Sequence, residues 1–165
     1  MPKITIKRRY TLRKDDAAAL MADLRQQLGD QADLFSGDRI EKMETDSPVT
    51  IYLIDRLPLL MRMEGWVFPT LRGAIARTFD RRRCVMDRGA IAFIAKGADA
   101  MRPGIISITD DVVAGAPVLI AEETHGKPLA VGIALADAGE IRSQSRGKAI
   151  RTVHHVGDEI WNLEI

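Results

Sequence analysis

His154 and His155 stand side by side, with Asp158 three residues beyond His155. Two imidazoles and a carboxylate are metal-ligand chemistry. On a strand, however, adjacent side chains point to opposite faces, so the two rings do not easily share one ion. One histidine with Asp158 stays open as a site; the alternative is one packed and one exposed ring. Asp110-Asp111 and Glu122-Glu123 are paired acids. As sequence neighbours they make poor general acid–base pairs for the same reason, and they read as loop and strand-edge charges. Cys84, the only cysteine, could form a nucleophilic dyad with a distant histidine, but nothing near it in sequence positions it. Free cysteines more often pack in a core. Gly147-Lys148 is followed by Ala149 and Gly126-Lys127 by Pro128, so neither is a nucleotide-binding P-loop. There is no GxSxG nucleophile turn. The expectation is a protein that is not an enzyme and needs no cofactor and no metal.

The remaining chemistry is charge. Net charge is only +1, but it is unevenly spread: 16 Lys and Arg face 12 Asp and Glu up to residue 83, and 8 face 11 beyond it. Seven of those eight late bases fall in two stretches. Arg88, Lys96 and Arg102 lie in or beside "KGADAMRPGI", and Arg142, Arg146, Lys148 and Arg151 lie in "IRSQSRGKAIR". Bases clustered on an otherwise acidic half suggest a polyanionic partner; charge runs that are merely solvated faces are the competing reading. The chain has 165 residues, 46% hydrophobic and 28% charged, enough for one domain or two small ones. "MPKITIKRRYTL" has bases with no apolar run behind them, unlike a secretory signal. No stretch approaches the ~20 apolar residues of a membrane span. A cytoplasmic location is the default.

The elements that must position these groups follow from periodicity. "KITIKRRY" alternates and reads as a strand. "KDDAAALMADLRQQLG" places Ala17, Leu20, Met21, Leu24 and Leu28 three and four apart, a helix capped by Asp15 or Asp16 and ended by Gly29. "RIEKME", "VTIYLI" and "PLLMRME" read as strands, with "IDRLP" turning between the last two. Trp66 and Phe68 would share one strand face; Pro69 interrupts the ladder, and Thr70 caps a helix running to about Phe79. "DRRR", residues 80–83, is the expected joint between halves. Beyond it, Asp87 caps a short helix "RGAIAFIA" that Lys96-Gly97 ends, and "GIISIT" is a strand. "APVLIAEETHGKPLAVGIALA" is a hairpin turning at His125-Gly126, with Lys127 placed away from the basic stretches. A helical turn near Ala138–Ile141 and a last strand "KAIRTVHHV" complete a small closed β-barrel.

The second half resembles the PUA domain of pseudouridine synthases and archaeosine transglycosylases. The resemblance rests on Gly89-Ala90, Phe93, Gly97-Ala98, Pro103-Gly104-Ile105 and the closing "GKAIRTVHHVGDEIW". In the first half, "EGWVFPTLR", Glu64 to Arg72, is similar to a signature of the translation-machinery-associated and malignant T-cell-amplified sequence family. The resemblance implies an α+β chain with an N-terminal α/β pre-PUA domain over residues 1–83 and a C-terminal PUA pseudo-β-barrel over 84–165. An archaeal source would be natural for it.

What the resemblance implies for function is RNA binding, with ribosomal RNA or tRNA as partner. The place is the small ribosomal subunit, in initiation or recycling, with a partner like density-regulated protein or an initiation factor and no membrane. An RNA-targeting accessory subunit for a modifying enzyme, or a PUA domain that binds protein, are the alternatives. On the family's pattern, RNA lies against residues 89–104 and 146–155. Arg88, Lys96, Arg102, Arg146, Lys148 and Arg151 are then phosphate contacts, and His154 or His155 stacks on a base. Gly97 serves a tight corner and Gly104 a close approach, so that "KGADAMRPGI" is a bend exposing bases rather than a catalytic loop.

Overall fold

The computed structural model describes residues 3–165. β1 (Ile6–Thr11) leads through Arg13 into α1 (Lys14–Leu28). The expected aspartate cap is absent: Arg13 takes the N-cap position with no side-chain bond, and Asp15 and Asp16 sit in the first turn. There they complement the partial positive charge of the helix start. Gly29 ends α1 at φ 56° as expected, and a 3-10 turn the sequence reading did not foresee carries the chain to Phe35.

β2 (Ile40–Thr45), β3 (Thr50–Ile54), β4 (Leu57–Met63) and β5 (Trp66–Pro69) follow, and with β1 they form a five-stranded antiparallel sheet in sequence order. Asp55 and Arg56 both have positive φ, the twist that suits a two-residue hairpin between β3 and β4. Leu20, Leu24 and Leu28, one face of α1, are buried with Met43, Ile51, Leu53, Met61 and Val67 of the sheet. β5 is buried on both faces. Thr70 caps α2 (Leu71–Ala76) by accepting from the Gly73 N–H. This helix stops at Ala76, short of the expected Phe79. The chain instead turns out of helical geometry at Arg77, and the Phe79 ring packs edge-on against Phe35 and Phe68.

The first strand of the second unit is β6 (Arg83–Met86), so the last arginine of "DRRR" belongs to a strand. The Asp111 carboxylate accepts from Arg81 Nε and the Arg82 N–H, fixing the segment ahead of β6. A 3-10 turn (Arg88–Ala90), capped by Asp87, runs into the single-turn helix α3 (Ile91–Ile94). β7 (Ala100–Met101), a 3-10 turn (Arg102–Gly104), β8 (Ile105–Ile108), β9 (Pro117–Glu122), β10 (Pro128–Ala134), α4 (Ala138–Ser143) and β11 (Lys148–His155) complete it. The sheet order is β7-β11-β10-β9-β6-β8, with β6 and β9 parallel and the other pairs antiparallel. Its two edge strands, β7 and β8, are separated in sequence only by Arg102–Gly104. A link that short spans at most about 14 Å, so the sheet must curl until its edges nearly meet. The result is the expected pseudo-barrel, filled by Met86, Ile94, Val118, Ile120, Ala130, Ile141 and Ile150.

By contacts the chain forms one unit up to Phe79 that also takes in Asn162–Ile165, and a second over Asp80–Trp161. The last four residues, placed by the sequence reading in the second domain, therefore group with the first. No helix among the described residues is long and apolar enough to cross a membrane.

Candidate nucleic-acid interface

The site is built on the corner that follows α3. The Lys96 and Ala98 N–H groups both donate to the Phe93 carbonyl, so the chain folds back tightly over the helix end. Gly97 makes this possible: its φ is 94°, and a Cβ there would lie 2.9 Å from the His155 ring. Thr152 on β11 holds the far side, its hydroxyl donating to the Ala98 carbonyl and its N–H to Asp99 Oδ1, both at 2.8 Å. Gly104 has the close approach expected of it, since a Cβ would meet Met86 Cε at 3.0 Å.

Between the 3-10 turn with α3 on one side and β7 with the start of β11 on the other lies a groove of about 500 Å³. Its walls are largely apolar: Met86, Ala90, Phe93, Met101 and Pro103. Phe93 is 67% exposed and Met101 47%, well above what an apolar side chain needs for packing. The polar groups in the lining are Asp87, Asp99 and Lys148, and Lys148 Nζ lies 2.8 Å from Asp99 Oδ2. The Lys148 bond, opposed by partial burial and aided by the Thr152 N–H, holds the Asp99 carboxyl below the usual carboxylate range.

The residues named from sequence have different fates. Lys148 lines the groove, and Arg88 and Lys96 are exposed on the elements that form its wall. Arg88 donates its N–H to Glu123, whose carboxylate also lies 4.0 Å from its Nε. Arg146 and Arg151 are exposed before and within β11. Lys96 and Arg146 side chains pair with nothing among the described residues.

The structure places two of the named residues differently from expectation. Arg102 is half-buried and engages its guanidinium within the fold, donating to the carbonyls of Ile141 (2.7 Å), Ile105 (3.3 Å) and Arg142 (3.3 Å) and tying the edge-closing turn to α4. His154 cannot stack on a base, because it is 1% exposed, with Nδ1 against the Asp158 carboxylate. The register between β10 and β11 shifts between the pairs Val131–His154 and Gly132–Thr152. The buried His154 and the half-buried His155 sit side by side at this bulge. His155, half-buried, keeps Nδ1 near the Ala95 and Val156 carbonyls.

Sequence reasoning missed Phe93 and Asp99. Phe93 was read only as part of a family motif. A signal was there: a helix of one turn that buries Ile94 has no second face to hide Phe93.

A family model described as "PUA domain" matches residues 82–156. The protein MJ1432 of Methanocaldococcus jannaschii is 32% identical over 159 residues, covering 96% of this chain and 98% of that one. Translation machinery-associated protein 20 of Eremothecium gossypii is 34% identical over 133 residues, 76% of this chain and 73% of that one. A crystal structure of a hypothetical protein from Pyrococcus horikoshii superposes with a TM-score of 0.86 at 32% identity, covering 94% of this chain and 98% of that one. Two of these three sources are archaea, which fits the archaeal source that the family resemblance makes natural. With its pre-PUA sheet, its PUA pseudo-barrel and relatives matched over most of both lengths, the chain belongs to the PUA-domain family of translation machinery-associated protein 20 and malignant T-cell-amplified sequence 1.

Proposed function

We propose that the chain is a non-catalytic RNA-binding protein of the translation machinery, acting in the cytoplasm at the small ribosomal subunit in initiation or recycling. The observation that carries the RNA reading is the groove of the second unit. It presents an exposed aromatic ring, Phe93, beside Lys148, on elements that also expose Arg88, Lys96, Arg146 and Arg151. Aromatic faces stack on unpaired bases while flanking bases contact phosphate, the division of labour used on single-stranded RNA. The place in translation rests on the name carried by the fungal relative. The absence of catalysis is supported by the state of the candidate nucleophile: burial pushes the Cys84 thiol up to about 12, so little thiolate forms near neutral pH. The Phe68–Arg72 segment of the first unit, where Arg72 is exposed, is the part we assign to a partner resembling density-regulated protein or an initiation factor.

Sedimentation of the native protein with ribosomal subunits tests the reading. Co-migration with the small subunit that is lost at high salt is the expected result. Binding of labelled single-stranded RNA without co-migration would leave an RNA-binding accessory role instead, and binding of neither would overturn the assignment.

A further inference from the structure

Asp99 is unexpected in a surface proposed to meet a polyanion. It lies in the groove with Phe93, and the fold fixes it from two sides. Thr152 N–H donates to Oδ1, and Lys148 Nζ sits at Oδ2, each 2.8 Å away. A carboxylate offers about four acceptor positions, two on each oxygen. One partner on each oxygen thus leaves acceptor capacity on both. Because Asp99 is ionised, both remain acceptors.

We infer that this groove selects an unpaired guanine, stacked on Phe93 with its Watson–Crick edge on the Asp99 carboxylate; the inference rests on the RNA reading above. Guanine is the base whose edge presents two adjacent donors, N1–H and N2–H, at the spacing of two carboxylate oxygens. Cytosine and adenine each present one amino group beside acceptors, and uracil one N–H between two carbonyls; those acceptors would face the carboxylate unpaired. Lys148 makes an anion tolerable here by neutralising Asp99 while remaining within reach of the backbone phosphate. Met101 and Pro103 close the opposite wall around the purine. Asp99 is preorganised in the free protein, so selectivity does not wait on a rearrangement.

The test is fluorescence anisotropy of the full chain with four labelled RNA hexamers: UUGUUU, UUAUUU, UUCUUU and all-U. A bidentate contact of this kind should favour UUGUUU by about 5- to 100-fold. Replacing that guanosine by inosine, which lacks the N2 amino group, should remove much of the preference in the unaltered protein. Asp99→Asn keeps an acceptor for Thr152 but puts an amide donor opposite guanine, and should bring all four RNAs to the all-U level. Equal binding of all four by the unaltered protein, or a preference for adenine or cytosine, overturns the guanine assignment and leaves RNA binding standing. A guanine preference that survives both inosine and Asp99→Asn removes Asp99 from the role. Binding of none of the four sinks the RNA reading itself.

Discussion

His154 Nδ1 lies 3.0 and 2.9 Å from the two carboxylate oxygens of Asp158, and both residues are buried. The same carboxylate accepts from the N–H groups of His155 and Trp161, so the turn after β11 is wound around it. Burial opposes its ionised form, but the His154 bond and the two backbone donors outweigh that and hold the Asp158 pKa below the ordinary value. What looked in sequence like a ligand set is a structural latch.

The latch should be acid-sensitive. A carboxylate whose folded pKa is depressed stabilises fully above its unfolded value of about 3.9, and this contribution is lost as pH falls through the folded value. Asp158→Asn should lower stability near neutral pH by about 1–3 kcal/mol. It should also flatten the fall in melting temperature below about pH 4. Thermal melts across that range give the answer; a variant whose acid profile parallels the parent would exclude the role.

Arg102 should behave as a core tie and not as an RNA contact. Lysine cannot reproduce three donors in a fork, so Arg102→Lys should cost about 1–3 kcal/mol in urea unfolding. The salt dependence of RNA binding should be unchanged. A smaller salt slope with normal stability would return Arg102 to the interface.

The rim bases should act additively through phosphate. Arg146→Glu and Arg151→Glu combined with Lys148→Gln, which avoids setting two carboxylates against each other at Asp99, should weaken RNA binding. The slope of log affinity against log salt should shrink by about 0.7 for each single-strand contact removed. Lys3→Glu and Lys7→Glu combined with Lys14→Gln, at positions that line no part of the groove, is the charge-matched control. Equal losses in both sets would reduce the effect to bulk charge.

Phe68 is fully buried and meets the Trp66 and Phe79 rings edge-on at 6.3 and 5.7 Å. Phe68→Ala should cost about 3–5 kcal/mol. Arg72→Glu, at an exposed position of α2, should reduce association with ribosomal subunits or a protein partner. Normal association in the Arg72 variant would confine the Phe68–Arg72 segment to a packing role.

The barrel should fold by itself if its start is drawn correctly. Fragment 80–161 should melt cooperatively, and at a higher temperature than 84–161, which lacks the Arg81 and Arg82 bonds to Asp111. Melting without a transition would show that the two units fold only together.

Much of the architecture was local information. The strands of the first sheet, the body of α1, the Thr70 and Asp87 caps, the Gly29 stop and the Gly97 corner each depend on residues within a turn or two of one another. Side-chain period, capping and positive φ act over that range, so the sequence alone determined them, and with them the family. The chemistry of the surface was decided elsewhere. Arg102 and the carbonyls of Ile141 and Arg142 are about forty residues apart, and Asp99 meets Thr152 from 53 residues away. Only closing the barrel brings these groups together, and their pairing engages the Arg102 guanidinium within the fold and fixes an acid in a basic rim. His154 is held inward by the Asp158 carboxylate in the turn after β11, a pairing that residue types alone left open. Charge and residue type are set by the chain; whether a charge faces solvent, a carbonyl or a phosphate is set by which distant strand lies beside it.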